Sequence, residues 1–538
     1  MPRNQLVSLE DTLSESAHLL VSNSTNTLTT PDAPDTIENK YLAADSVPAS
    51  VILKKEARLL TITSVPVILT YLLQYSFSFI NLLVLGHIGA NELAAAALVN
   101  MTLVVAVYSP AIGLASALDT FCSTAFTASR DKTLVGFHLQ RGLIAVTVLF
   151  LAIAPVLWKA ETVFIWLRQE PQVSRLCGRL MQIQLLGAPA WMYFECIKRF
   201  LQAQGIMHAS TVILIVLLPI HLAANFVLVW SPSLGLGYLG TAVANALVNL
   251  LMLVGILFYV WRGRARETWG GWTMQAVRSM PQYFRLALPS MVMICAEWWI
   301  LDLLVLAASY LGSTTLAAQS IIVNTCTLTY QVADGLSVAV CNRVGNLIGQ
   351  ARPRRARLSA WLGISVATTV GLLTLLAALC VGNWWGLVYS DDPRIIARVA
   401  LIMPACAVFQ MFDAVNSVGS GVLRSLGKQD SGALINFTAY YVLGFPLGLF
   451  LTYGRLHVGV LGLWCGICAG VALAVLLQIC ICLATRWDDE VRRCIARVSK
   501  DQDTLDCSTP SGSESGDEAG DRDGGDDRAH REGRYGSV

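Results

Sequence analysis

The chain has 538 residues, of which 55% are hydrophobic and only 14% are charged. An ordinary soluble protein carries about 25% charged residues, so this composition excludes a typical cytosolic globular protein. The net charge of +2 says little about partners, because the charged residues are segregated along the chain. We expect no nucleic-acid partner.

Apolar runs, each long enough to cross a bilayer, recur from about residue 58 to about residue 486. Short polar breaks separate them. The pattern predicts an all-α membrane protein with about twelve transmembrane helices. We expect these helices near 58–86, 92–118, 141–158, 180–202, 209–231, 237–261, 285–311, 313–341, 358–386, 395–422, 432–454 and 457–485.

The first and second halves of this region repeat each other. A shift of 223 residues moves Pro66 onto Pro289 and the Leu-Ala-Ala of 93–95 onto that of 316–318. The repeat unit is six helices, so both halves enter the membrane in the same sense. Two pseudo-symmetric six-helix bundles of this kind are typical of transporters, which hold their site near the midplane between bundles.

We expect the bundles to occupy 56–262 and 285–490, joined by a cytosolic linker over 263–284. Residues 1–55 read as a disordered arm and residues 491–538 as a disordered acidic tail, since both are polar or charged with little to bury. Lys and Arg concentrate in alternate breaks, apart from a basic break between the third and fourth helices. This bias favours cytosolic positions for both termini.

Six carboxylates lie inside or at the edges of the apolar runs. They are Asp119, Glu195, Glu297, Asp302, Asp334 and Asp413. A charge at bilayer depth costs at least ~3 kcal/mol, so such residues usually face a cavity and have a function. We expect no Lys or Arg inside the runs to pair with them. Acids without basic partners suit a cationic cargo, a proton, or both.

Eight short segments occur in a diagnostic order and spacing. They are VLGHIGANELAAAAL at 84–98, IGLASALDTFCSTAF at 112–126, VGFHLQR at 135–141, KRFLQAQGI at 198–206, AEWWILD at 296–302, RVGN at 343–346, FDAVNSVGSGVLRSLGKQ at 412–429 and GLWCG at 462–466. Together they resemble the multidrug and toxic compound extrusion (MATE) family, in its eukaryotic branch. The resemblance covers about residues 56–490.

The resemblance implies a secondary active antiporter, and not an enzyme. Such a protein exports organic cations, drugs or metabolites in exchange for protons by alternating access. The resemblance places Glu297 at a transport-essential acid, opposite Gln74 in the repeat, and Asp413 at the acid used beside it. We assign Glu297 and Asp413 as the proton and cation pair. Asp302 is a secondary member, roughly 140° from Glu297 around the helix.

The chain departs from the family pattern at several positions. The family often has a second Glu where this chain has Asp302, and some relatives carry Glu in place of Asn324. A Pro common in the eighth helix is replaced by Ala333, and Asp334 follows it. These differences change the volume and acidity of the second-half cavity, and they bear on which cargo is carried.

Other polar or aromatic residues within the runs are candidates for lining the substrate cavity. They are Gln74, Asn81, Trp298, Asn324, Asp334 and Tyr441. The alternative for the amides is hydrogen bonding between helices. For Trp298 it is helix packing rather than attraction of a cation to the ring face. Asp119, near one end of the second helix, is a possible gate or a structural residue.

Two rival functions remain open. A Na⁺-coupled exporter could use carboxylates together with amide oxygens. A lipid-linked oligosaccharide flippase of a related superfamily would need Arg or Lys in its cavity to hold phosphate. No P-loop supports ATP-driven transport, and no His spacing makes a metal site. The expected partners are therefore a small organic cation or amphiphile and the lipid bilayer, with a monomeric protein and no cofactor beyond the coupling ion.

Residues Glu15, Leu19 and Leu20 form an acidic dileucine pattern on the N-terminal arm. Sorting adaptors can read such a signal and route a membrane protein to the vacuole. The pattern predicts a vacuolar membrane location, with the plasma membrane as the alternative.

Overall fold

The structure is a computed structural model that describes residues 48–231, 235–455 and 457–506. The dileucine pattern, the predicted arm up to residue 47 and the predicted tail from residue 507 lie outside these ranges. Within them the chain forms helices, and no β-strand occurs.

Twelve long helices correspond in order to the twelve predicted runs. They are α1 (Ala49–Gly86), α2 (Ala90–Leu103, continuing through a π-helical turn at Val104–Tyr108 into Ser109–Ala128), α3 (Thr133–Trp158), α4 (Pro171–Ala203), α5 (Ala209–Trp230), α6 (Leu239–Arg262), α7 (Met280–Ser309), α8 (Ser313–Gly349), α9 (Pro353–Trp385), α10 (Pro393–Ser425), α11 (Gln429–Phe437, continuing through a π-helical turn at Thr438–Gly444 into Phe445–Tyr453) and α12 (Val460–Ala484).

Ten of these helices are long and apolar enough to span a membrane. The other two, α4 and α8, contain 33 and 37 residues. Their polar side chains, such as Glu195, Lys198 and Arg199 in α4, lower their apolarity. Ionisable residues in membrane helices usually face the bundle interior. Accordingly, these three side chains are buried, and both helices pack among the helices around them.

The two halves meet through helix pairs that the repeat relates to each other. The helix α1 packs on α8, and its repeat equivalent α7 packs on α2. At these crossings Gly335 lies against the backbone of Ile68, and Gly113 lies against the backbone of Met291. A Cβ at either glycine would overlap the facing Cα atom, so only glycine permits this approach. Ile68 and Met291 are themselves equivalent under the shift of 223 residues.

One end of the molecule, here called the base, is where α1 begins and where α2, α8 and α10 end. Hydrogen bonds join the two halves there. Thr120 of α2 donates to the Arg424 carbonyl at 2.6 Å, and Thr127 donates to the Asn346 carbonyl at 3.0 Å. Near the start of α1, Glu56 accepts two bonds from the Arg343 guanidinium, at 2.7 and 2.6 Å. These contacts hold the two halves of the chain together at the base.

A thirteenth helix, α13 (Trp487–Asp506), replaces the first part of the predicted disordered tail. The prediction of disorder from residue 491 is therefore wrong as far as residue 506. Trp487, Val491, Cys494 and Val498 recur at helical spacing and are all buried. The charged residues between them conceal this apolar stripe when composition alone is considered.

The helix α13 lies across the base and contacts both halves of the chain. It packs on α2 and α3 of the first half and on α8 and α9 of the second. Glu490 pairs with Lys428 at 3.1 Å, and Asp501 lies 3.6 Å from the Arg141 guanidinium. Burial raises the pKa of the Asp501 carboxyl, while Arg141 acts in the opposite direction. The helix therefore joins the two halves at the base.

The glycine contacts generate a stability prediction. Gly335→Ala should destabilise the protein by about 1–3 kcal/mol, since its methyl group overlaps the Ile68 backbone. A lowered thermal midpoint of the purified protein would show this. Gly86→Ala is the matched control, because nothing lies within 4 Å of a Cβ built there. Equal midpoints for the two variants would contradict the proposed close approach.

Candidate functional site

The acids of the first half have basic partners within the membrane helices. Glu195 accepts from Lys198, one turn along α4, at 2.7 Å, and from the Gln74 amide of α1 at 2.7 Å. Lys198 also donates to the Gln74 side-chain oxygen at 3.0 Å and lies 4.4 Å from the centre of the Tyr71 ring. Predicted cavity residue Gln74 is thus part of a closed, charge-balanced cluster.

Asp119, the predicted gate, forms a buried ion pair with Arg199. The side chain of Asp119 is fully buried, and that of Arg199 is 2% exposed. The expectation that no Lys or Arg lies inside the runs is therefore wrong for Lys198 and Arg199. Both residues lie within the last five residues of the fourth predicted helix, near 180–202, and α4 carries them into the protein interior, where they contact α1 and α2.

The second half contains three acids that stand in a different environment. Glu297 of α7 and Asp413 of α10 are 8% and 7% exposed. Glu297 interacts electrostatically with Asp413 and with Asp334 of α8, so the three carboxyls share one region between α7, α8 and α10. Neither Glu297 nor Asp413 forms a salt bridge within the described residues, and one oxygen of Glu297 has no hydrogen-bond partner there.

Basic side chains also act on this region, and Arg424 lies within electrostatic range of both Glu297 and Asp334. Asp334 lies within electrostatic range of Arg424, and more weakly of Arg199 and Lys198. The Arg424 guanidinium donates to the Ser337 hydroxyl at 3.1 Å, one turn from Asp334 on α8. Asp334 therefore interacts electrostatically both with Glu297 and with the basic residues Arg424, Arg199 and Lys198.

The walls of this region also contain polar residues that were not among the predicted site residues. Tyr330 of α8 interacts with Glu297. Asn416 of α10 donates to the Tyr440 hydroxyl at 3.1 Å and accepts from the Gln478 amide of α12 at 2.8 Å. The signal available in the sequence was helical spacing: Asn416 is three residues from Asp413, and Tyr330 is four from Asp334.

Asp302 lies apart from the other acids. It is half-buried, and the group it acts on is the Tyr441 phenol of α11. The structure thus brings together two of the three predicted coupling residues, Glu297 and Asp413, and sets Asp302 on another face of α7. The angular separation around the helix accounts for this difference.

The remaining predicted cavity residues have separate locations. Asn81 donates to Asn245 at 3.3 Å and accepts from Asn225 at 3.2 Å, and so links helices of the first half. Trp298 lies beside Tyr330, with ring centres 6.4 Å apart. Asn324 is exposed, and its carbonyl faces the Tyr75 hydroxyl at 3.5 Å across the two halves. Among the described residues no group of His, Cys, Asp and Glu is arranged to hold a metal ion.

Two repeated helical bundles around buried acids define a multi-pass membrane transporter. The sequence model of the MatE family matches residues 66–227 and again residues 289–450. The two matches are offset by 223 residues, which is the shift of the internal repeat. The chain therefore belongs to the MatE family, and it is a transporter rather than an enzyme.

Curated proteins of the same family are similar over most of this chain. An uncharacterized transporter of Schizosaccharomyces pombe is 37% identical over 434 residues, covering 81% of this chain and 80% of that protein. Multidrug and toxin extrusion protein 2 of Mus musculus is 33% identical, covering 81% and 75%. Protein DETOXIFICATION 16 of Arabidopsis thaliana is 31% identical, covering 84% and 93%.

A solved structure supports the same assignment. The crystal structure of the eukaryotic MATE transporter AtDTX14 superimposes with a TM-score of 0.79 at 25% identity. The match covers 83% of this chain and 100% of that one. The predicted fold class, an all-α membrane protein of two six-helix bundles, and the predicted eukaryotic MATE resemblance are both confirmed.

The different environments of the acids generate a second prediction. Asp119→Asn should destabilise the protein by about 3 kcal/mol, because it leaves the buried Arg199 guanidinium without a counter-charge. Glu297→Gln should leave the thermal midpoint unchanged or raised, since Glu297 forms no salt bridge within the described residues. Thermal unfolding of the purified variants, read by intrinsic fluorescence, tests both. A fully stable Asp119→Asn protein would argue against a structural ion pair.

Proposed function

We propose that this transporter is a secondary active antiporter that exports organic cations in exchange for protons. Alternating access moves the site between the two faces of the membrane. Glu297 and Asp413 bind proton and cargo in turn. The observation that carries this proposal is the contrast between the halves: Glu195 and Asp119 are paired with Lys198 and Arg199, whereas Glu297 and Asp413 have no salt-bridge partner.

Two neighbouring carboxyls in a poorly hydrated cavity cannot both carry charge without mutual repulsion. A proton bound to one of them relieves this repulsion, and so does a cation bound between them. Cation and proton therefore compete for the same pair, which is the physical basis of exchange. Each unit of pH difference then supplies about 1.4 kcal/mol per transported proton.

The orientation of the protein in the membrane follows from the distribution of its basic residues. The polar breaks at the base carry the Lys and Arg clusters, which favours a cytosolic base and cytosolic termini. Hydrogen bonds between α2 and the ends of α8 and α10 join the two halves at that end. The structure thus suits the stage at which cargo leaves on the non-cytosolic side. The dileucine pattern is consistent with a vacuolar membrane.

A lipid-linked oligosaccharide flippase fits the acids less well. Its phosphate group would need an unpaired Arg or Lys in the cavity. Here Lys198 and Arg199 are neutralised by Glu195 and Asp119, and Arg424 lies within electrostatic range of Asp334 and Glu297. A Na⁺-coupled exporter remains the second candidate, because carboxylates with amide oxygens such as those of Asn416 and Gln478 can coordinate Na⁺.

The coupling pair generates a third prediction. In liposomes loaded with a fluorescent organic cation, an imposed pH gradient should drive cation movement by the wild-type protein. Glu297→Gln and Asp413→Asn should each reduce the rate to that of protein-free liposomes, because neither amide can exchange a proton. Both variants should reconstitute as folded protein.

Control experiments distinguish a loss of proton coupling from a loss of folded protein. Asp392→Asn changes an exposed carboxylate paired with Arg394 outside the bundle, and it should transport at the wild-type rate. A sodium gradient without a pH gradient tests the second candidate. Retained proton-driven exchange in both Glu297→Gln and Asp413→Asn would refute the assignment of the coupling pair.

A further inference from the structure

The helix α13 begins on one half of the chain and ends on the other. Only residues 485 and 486 separate its start from the end of α12. We call its first turns, residues 487–494, the anchor, and the turn at residues 501–504 the latch. The ion pairs and hydrogen bonds of the anchor reach the second half, whereas those of the latch reach the first half and the linker between α6 and α7.

The anchor is tied to the turn between α10 and α11. Glu490 pairs with Lys428 of this turn at 3.1 Å, and Lys428 also donates to the Thr485 hydroxyl at 2.9 Å. Cys494 and Leu426 line the same small cavity between α13 and the turn. Together with the short connection to α12, these contacts fix the anchor on the second half.

The latch is attached to the first half through a buried carboxylate. Asp501 is 1% exposed and lies 3.6 Å from the Arg141 guanidinium and 3.9 Å from the His138 ring, both of α3. The side chain of Arg141 is fully buried as well. Gln502 accepts a hydrogen bond from the Ser129 hydroxyl, directly after α2, at 3.2 Å. Because the charged pair is shielded from water, it differs from an ordinary surface ion pair, which contributes little.

The linker between α6 and α7 extends this attachment. Gln275 of the linker donates to the Thr504 carbonyl at 3.2 Å. The short helix Gln275–Arg278 that contains this residue packs on α3. The start of α7, which also packs on α3, places Gln282 near Asp501. The latch therefore holds α2 and α3 directly and the linker beside them.

We propose that α13 is a strap hinged on the second half, and that its latch must leave the first half before the base can open. The proposal rests on the alternating access proposed above, because only a base that opens has to release the helix. The anchor stays in place during this movement, and the contacts of the latch break. The strap thereby shifts the conformational equilibrium toward the state with a closed base.

A buried ion pair at a moving interface suits a contact that forms and breaks repeatedly. In the closed state Asp501 and Arg141 neutralise each other away from water. When the base opens, both groups reach water, and hydration replaces their pairing. The free energies of pairing and hydration largely offset each other, so the contact delays opening without preventing it. Removal of one partner changes this balance, because the other charge is then buried alone in the closed state.

Hydrogen–deuterium exchange of the full-length protein in nanodiscs tests the proposal. Asp501→Asn leaves Arg141 without its counter-charge while the base is closed, so the latch should be released more often. We expect the amides of the latch and of the last two turns of α2 to exchange about tenfold faster than in the wild type. The amides of the anchor should keep their protection. Asp503→Asn is the matched control, because it removes an exposed carboxylate of the same turn and should exchange like the wild type.

A reversible cross-link tests whether release is required for transport. The double variant Ser129→Cys and Gln502→Cys, joined by a short bis-thiosulfonate reagent, should lose proton-driven exchange in liposomes. Reduction with dithiothreitol should restore it. Each single variant, treated with the same reagent, should transport at the rate of the untreated protein, which controls for reaction at the native cysteines.

Wild-type protection of the latch in Asp501→Asn would overturn the proposal, and so would normal transport by the cross-linked protein. Equal loss of protection in the anchor and the latch would also overturn it, because the helix would then leave both halves together. If the wild type shows no proton-driven exchange, the proposed function fails, and the hydrogen-exchange comparison still supports or overturns the strap.

Discussion

A carboxylate inside a membrane protein must be neutralised, and in this transporter the two halves meet that requirement in different ways. In the first half each buried acid has a permanent partner within hydrogen-bonding distance, Lys198 for Glu195 and Arg199 for Asp119. In the second half Glu297 and Asp413 have no such partner. Their neutralisation therefore depends on what the cavity contains, which is the basis of the exchange of proton and cargo proposed above. The first half is thereby suited to rigidity, and the second to exchange.

The helices around these acids are closely packed where the two halves meet. The repeat-related contacts of Gly113 and Gly335 bring helix backbones together without intervening side chains. The base adds hydrogen bonds from α2 to the ends of α8 and α10, and α13 lies across both halves. Because close-packed interfaces have few alternative arrangements, the alternating access proposed above should occur as a change between discrete states rather than as a gradual deformation. Opening the base requires that these contacts, including those of α13, break or shift together.

Individual residues show how far the sequence could be interpreted. Glu297 and Asp413 were candidates because an acid in an apolar run is rare, and the family resemblance selected them from the six. The structure places them in one region. Asp302 satisfies the same criterion but faces Tyr441, since its position around α7 differs. Lys198 and Arg199 were missed because they follow one another near the predicted end of a helix. Whether such a residue faces the interior depends on the neighbouring helices, which the local sequence does not specify.

The sequence by itself determined the number and order of the helices, the six-helix repeat and the family. These properties depend on apolar length and on motifs within one or two turns of a helix, which act locally. Only the tertiary structure decided which acids are paired, since Asp119 and Arg199 are 80 residues apart in the chain. It also decided that residues 487–506 form a helix on the base, because their apolar stripe is stabilised only by the surface that the two halves create together. Charge pairing and docking depend on distances between helices, and those distances exist only once the bundles have assembled.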